Sequence, residues 1–261
     1  MERSLLLAIL LYIASGGFPD VSAQSSANVT KPVVIVDPAD KQNVKGNVSI
    51  ALAWGETFAP PQEYLRGFIH LRDSMVRWTK INTEISRNLM LGSPRLLEIP
   101  FVLVTTDVNF DLSSTEKANV RKYLENGGFL VLENPTPRTE KSPAEASPKQ
   151  MVRDALGPAA RFKPIPNDHP IYSCFWDFTD GPPQGSEVGT FGSESSDHRS
   201  ISKPVYYLEG VWIGERLAVV FSNKGYIVKW AELSNNVPQL KFGVNLIVFS
   251  MIQREGITQR Q

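Results

Sequence analysis

Residues 113–134 read SSTEKANVRKYLENGGFLVLEN, and their punctuation decides the fold class. Ser113 and Glu116 stand three apart, the spacing of a capping box in which each side chain satisfies the other's exposed amide. Gly127 closes the stretch and can take the left-handed conformation that ends a helix. FLVLEN then follows at once as an apolar strand. Upstream, PFVLVTT at residues 100–106 is another continuous apolar run, as expected of a strand covered on both faces. Strand, helix and strand with short connections make a βαβ unit, and such units build parallel sheets with helices on the faces.

Working outward, Tyr64, Leu65, Phe68, Leu71, Met75 and Trp78 recur at spacings of three and four, which predicts an amphipathic helix. NVSIALAW (47–54) reads as a strand before it and NTEIS (82–86) as a short strand after it. VYYLEGVWI and RLAVVFSN flank Gly214 and Glu215 as a β-hairpin. YIVKW (226–230) reads as a further strand, and QLKFGVNLIVFSMIQ (239–253) as a largely buried helix. Two polar stretches interrupt this order. Residues 134–149 hold four prolines and read as a surface excursion, with a short helix, KQMVRDAL, resuming at about 149. Residues 180–203 are poor in apolar side chains and read as a loop. The fold class expected is therefore α/β: a three-layer, open, mainly parallel sheet with a C-terminal β-hairpin and helix.

The first residues, MERSLLLAILLYIASGGFPDVSA, have the layout of a secretory signal: a basic start at Arg3, an apolar run from Leu5 to Ala14, and a small-residue site at Val21–Ala23. The run is about half the roughly 20 residues needed to span a bilayer. Export is expected, with cleavage near Ala23 leaving a periplasmic or extracellular protein. The layout expected is a signal at 1–23, a flexible mature N-terminus at 24–46 with a short strand, one α/β domain over 47–255, and a tail at 256–261. Cleavage removes one basic and two acidic residues from 27 of each, so the mature chain is near neutral. Duplex binding relies on clustered Lys and Arg, so nucleic acid is not an expected partner. No later segment is long enough to cross a membrane, and a single cysteine allows no internal disulfide.

The blocks IPFVLVTTD…LSSTEKANVRKYLENGGFLVLEN, PNDHPIYSCFWDF, YYLEGVWIGERLAVVFSN and KFGVNLIVFSMI together resemble a bacterial family, the domain of unknown function 4159, over roughly residues 47–255. The resemblance implies a fold similar to the class I glutamine-amidotransferase-like (flavodoxin-like) α/β superfamily, and it brings no activity. Two departures stand out. Relatives often carry two acidic residues after the GGF strand, where this chain has Glu133 and Asn134. An acidic DLGDGW-like turn late in the domain is replaced here by NKGYIVKW.

Candidate sites follow from strand ends and from chemistry. Ligands of open α/β sheets bind beyond the carboxyl ends of the strands. Thr105, Thr106 and Asp107 end one strand, Glu133 and Asn134 the next, and the turn residues Asp168 and His169 are added to make one binding rim. His169 is a candidate general base, with Asp168 or Glu133 assisting. Cys174, five residues after His169, is a candidate nucleophile that local geometry disfavours. Five residues put the two side chains on opposite faces of a strand and off one face of a helix. Amidotransferase chemistry is not expected, because no cysteine follows a strand end. The three histidines, His70, His169 and His198, and the one cysteine offer no zinc spacing, and no cofactor is expected. Trp54, Trp176, Trp212 and Trp230 fall near loops, where aromatic faces can hold sugars, although core packing is the simpler reading. The leading expectation is a non-catalytic envelope module binding a small molecule or a partner protein at the rim. The alternative is a hydrolase acting on a cell-envelope, carbohydrate-like substrate.

Overall fold

The computed structural model describes residues 32–37, 39–137, 143–187 and 206–259. The signal-like residues 1–23, His198 and most of the 180–203 insertion lie outside these. The strands are β1 (Val33–Asp37), β2 (Asp40–Trp54), β3 (Lys80–Met90), β4 (Phe101–Thr105), β5 (Phe129–Glu133), β6 (Lys163–Pro164), β7 (Glu209–Ile213) and β8 (Arg216–Ser222). The helices are α1 (Gln62–Trp78), α2 (Ser114–Glu125), α3 (Pro143–Leu156), α4 (Tyr226–Ala231) and α5 (Val237–Ile252). Among the described residues these strands form one mixed sheet in the order β1-β2-β4-β5-β8-β7-β6, with β3 also paired to β2. The centre is parallel: β2 with β3 and β4, β4 with β5, and β5 with β8. The margins β1, β7 and β6 run antiparallel.

Alternation along the buried strands sorts the core into two layers. Phe101, Leu103, Phe129, Val131 and Val220 pack against α1, α4 and α5, while Val102, Val104, Leu130, Leu132 and Phe221 pack against α2 and α3. The α2 unit forms as its sequence dictates. Ser113 and Glu116 make the reciprocal capping box. At the other end the Gly128 N–H donates to Tyr123 O and the Gly127 N–H to Leu124 O, the paired bonds of a Schellman motif. Gly127 sits at φ +95°, and a Cβ there would lie 2.5 Å from Glu255 O, so both conformation and space call for glycine.

Three local expectations are corrected. YIVKW is helical, lying within α4. Gly225 enters it at φ +66°, and Tyr226, Ile227 and Trp230 are all buried. A five-residue apolar run cannot by itself distinguish a strand from a short helix. α3 begins at Pro143, six residues earlier than its apolar pattern suggests, and carries Pro148 inside it. The lost amide bond at Pro148 is set against the burial of Met151, Val152 and Ala155 on the sheet. The strand read as 47–54 starts at Asp40, and NTEIS is the middle of an 11-residue strand. No helix among the described residues is long and apolar enough to cross a membrane.

Candidate functional site

The register of the central strands builds the site. Thr105 of β4 pairs with Glu133 of β5, and Glu133 pairs with Ser222 of β8. In-register residues of neighbouring parallel strands point to the same face. The three side chains therefore form one row across the carboxyl ends of the sheet, on the side covered by α1, α4 and α5. None is more than 1% exposed. Glu133 Oε1 accepts the Tyr226 N–H at 2.8 Å, at the start of α4. Its Oε2, Thr105 Oγ1 and Ser222 Oγ form no well-aligned hydrogen bond among the described residues, although the Ser222 hydroxyl lies close enough to Glu133 to favour its charged form. Buried polar atoms are rarely left so, and three in one row mark a place built for something else.

Burial pushes the Glu133 carboxyl up to about 8, and the charge of Glu187 adds to the push. Ser222 and the Tyr226 and Gly225 amides pull the other way. Glu133 thus holds its proton at neutral pH. Glu187 arrives from the end of the segment Gly181–Glu187 and forms a buried ion pair with Lys224, Nζ to Oε1 2.5 Å. Tyr226 completes this surround, its hydroxyl raised by burial and by the nearby carboxyls of Glu133 and Glu187.

The other rim candidates divide. Thr106 and Asn134 point to the opposite face and serve their own loops: Thr106 Oγ1 accepts the Val108 N–H, and Asn134 Oδ1 accepts the Thr136 N–H. Asn134 Nδ2 donates to Asn223 Oδ1 at 2.6 Å. This is the loop capping that such residues perform widely. Asp107 is exposed. It stands near Tyr64, whose hydroxyl is pushed up to about 12 by burial and then by Asp107.

Asp168 and His169 do not join the rim. His169 packs edgewise on Phe249, ring centroids 5.3 Å apart, and on Trp212. Phe249 in turn meets Phe129, at the amino end of β5. The histidine is therefore at the far end of the strands from Glu133. Its Nδ1 accepts the Ile171 N–H at 3.2 Å and caps the 3-10 turn Pro170–Tyr172. Burial lowers its pKa, with Asp168 opposing, so the ring is neutral and the proton belongs on Nε2. Asp168 itself is exposed.

Cys174 is equally committed. Its Sγ donates to Asn245 O at 3.4 Å, and burial pushes the thiol up to about 12. A nucleophilic thiol needs the opposite shift. His70 is tied to Trp230 O through Nδ1 at 2.7 Å. No group of three or more His, Cys, Asp or Glu side chains among the described residues is arranged to hold a metal. Trp230 is fully buried and donates to Gln239 O, a core role. A shallow depression beside α2, lined by Gly92, Ser114 and Asn119, offers no free amide, since the Asn119 side chain already donates to Leu91 O and Ser93 O.

Ser222, Lys224, Glu187 and Tyr226 are the site residues that sequence reading missed. Ser222 ends an apolar strand, the same signal that picked out Thr105 and Glu133, but its place beside Glu133 depends on a long-range pairing. Glu187 lay in an apparently solvated insertion.

The family model described as a domain of unknown function (DUF4159) matches residues 61–251. A solved structure of a protein described as thua-like, from Bacteroides uniformis ATCC 8492, is similar at 11% identity, covering 85% of this chain and 96% of that one, with a TM-score of 0.40. No curated protein sequence matches the chain.

Proposed function

The chain belongs to the DUF4159 family, and since that family brings no reaction with it, we propose from the site alone that it is a non-catalytic binding module, exported after cleavage near Ala23. Its α/β sheet is read as the class I glutamine-amidotransferase-like kind without the amidotransferase reaction. The ligand or partner is taken at the strand-end row Thr105–Glu133–Ser222. The observation that carries this is the separation of parts: the oxygens without a well-aligned partner among the described residues stand at one end of the sheet, while His169, with its Nδ1 already accepting a backbone amide, sits at the other. Cys174 carries a thiol rather than a thiolate. A hydrolase would need a base and a nucleophile or activated water within reach of one another, and Glu133, holding its proton, is no base at neutral pH.

The test uses protein secreted by a bacterial host. Its N-terminus is expected at Gln24, and retention of residues 1–23 in the exported form would contradict export with cleavage. The purified protein, with His169→Ala beside it, is then assayed on chromogenic ester, glycoside, phosphate and peptide substrates. Neither form is expected to turn over any of them. Turnover by the native protein, reduced by about 10²–10⁴-fold in the folded His169→Ala variant as general acid–base groups require, would establish the hydrolase instead.

A further inference from the structure

Residues 181–187, GPPQGSE, form a strap beside the strand-end row, with Glu187 close enough for its charge to act on Glu133. Among the described residues, three contacts from Lys224, Tyr226 and α5 hold this strap through its backbone. The Ser186 N–H donates to Lys224 O at 2.7 Å, Tyr226 Oη to Pro183 O at 2.5 Å, and Gln239 Nε2 to Gln184 O at 2.6 Å. Only two strap positions depend on residue identity for these contacts. At Gly185 a Cβ would lie 2.0 Å from Lys224 O, so only glycine lets the strap lie this close. At Glu187 the carboxylate meets the Lys224 ammonium at 2.5 Å, while its other oxygen accepts the Gly185 N–H at 2.7 Å.

The division of parts is informative. The cation belongs to the strand-end scaffold, two residues after Ser222, and is 1% exposed; the anion belongs to the strap and is 6% exposed. A buried ion pair is a poor device for stability, because desolvation of both charges offsets their attraction. It is a good device for recognition, since a buried ammonium selects a carboxylate by charge-assisted hydrogen bonds. Near the pair stands the row of Ser222, Glu133 and Thr105, whose oxygens include three without a well-aligned hydrogen bond among the described residues. We infer that Glu187 is an internal stand-in for the carboxylate of a ligand, which takes its place on Lys224 when the strap lifts, while the rest of the ligand reaches along the row from Ser222 to Thr105. The proton-bearing Glu133 supplies a hydrogen-bond donor to the same ligand rather than a repelling charge. Among the described residues, lifting the strap breaks these three backbone contacts and the Glu187–Lys224 ion pair, each of modest net worth, and the incoming carboxylate replaces the ion pair. This rests on the row being the binding site, and it adds the ligand class and an autoinhibitory contact.

The test is thermal unfolding of the full mature chain with sodium acetate or sodium chloride at equal ionic strength. In Glu187→Ala, acetate fills the vacated position and raises the melting temperature by roughly 2–4 °C over chloride. The native protein and a Glu187→Ala/Lys224→Met double variant show no such difference. An equal response in all three proteins, or none in Glu187→Ala, would overturn the inference. Should Glu187→Ala fail to fold, Glu187→Gln keeps the shape of the strap without its charge. Its Gly185 and Ser186 amides should then exchange with solvent at least about tenfold faster than in the native protein, since the charge-assisted contact holding the strap is weakened. Unchanged exchange would be fatal to the proposal. Lack of an acetate response removes the carboxylate while leaving the row available to another ligand; hydrolysis in the substrate panel removes the binding-module reading while leaving the strap contact in place.

Discussion

Lys224→Met is expected to lower the free energy of unfolding by about 3 kcal/mol, among the largest effects of any single change at the site. The Lys224 and Glu187 side chains are 1% and 3% exposed. Removing one partner of such a pair strands the other's charge, at a loss of roughly 3–5 kcal/mol. The lower end applies here because the strap can lift and return Glu187 to water, which caps the loss near the worth of the strap's own contacts. Replacing both residues, in Lys224→Met/Glu187→Met, removes the stranded charge and should restore most of the stability. Denaturant unfolding of the three proteins measures this. A single variant as stable as the native chain would mean that the pair is screened by water and that the roof over Glu133 is open.

Glu133→Gln is expected to stabilise the protein, increasingly so as pH rises. The folded carboxyl titrates near 8 against an ordinary value of 4.5. With the folded value raised, the folded chain binds the proton more tightly than the unfolded chain. The stability this gives is complete below about pH 4.5 and is lost as pH climbs towards 8. The slope is about 1.4 kcal/mol per pH unit, and the whole window amounts to something on the order of 5 kcal/mol. Glutamine is neutral at every pH and nearly the same shape, so it escapes this loss. The difference in unfolding free energy between Glu133→Gln and the native protein, followed by denaturant titration, should be small near pH 5 and grow steadily to pH 8. A difference that stays flat with pH would show that Glu133 is ionised and solvated throughout.

What the sequence made legible was local. The α2 unit carries its own punctuation at both ends, so the βαβ core, the two neighbouring strand ends and Glu133 could be read before any coordinates. Two kinds of information were out of reach. The first is non-local pairing. Nothing near RLAVVFSN says that its strand lies beside FLVLE rather than at a margin, so Ser222 went unnoticed although it stands next to Glu133. The second is the docking of loops. NDHP reads as a turn that can join the strand-end rim, yet Trp212 and Phe249 hold His169 at the amino end of the sheet. GPPQGSE looked like a solvated insertion, yet one glycine and one glutamate seat it over the opposite end. Residue types fixed what these segments could do, and only tertiary packing decided where they did it. The same holds for YIVKW, where five apolar-rich residues suit either a strand or a helix until Gly225 and the Glu133 carboxyl anchor the first turn.

The account turns on one group, the buried carboxyl at the centre of the strand-end row. The direct measurement is its titration by carbon NMR in glutamate-labelled protein, with Glu133→Gln identifying the resonance. A midpoint near 8 is the result predicted: a protonated acid held under the strap at neutral pH, ready to donate to a ligand. A midpoint near the ordinary 4.5 would contradict it, making Glu133 a solvated carboxylate and the strand-end row an ordinary surface.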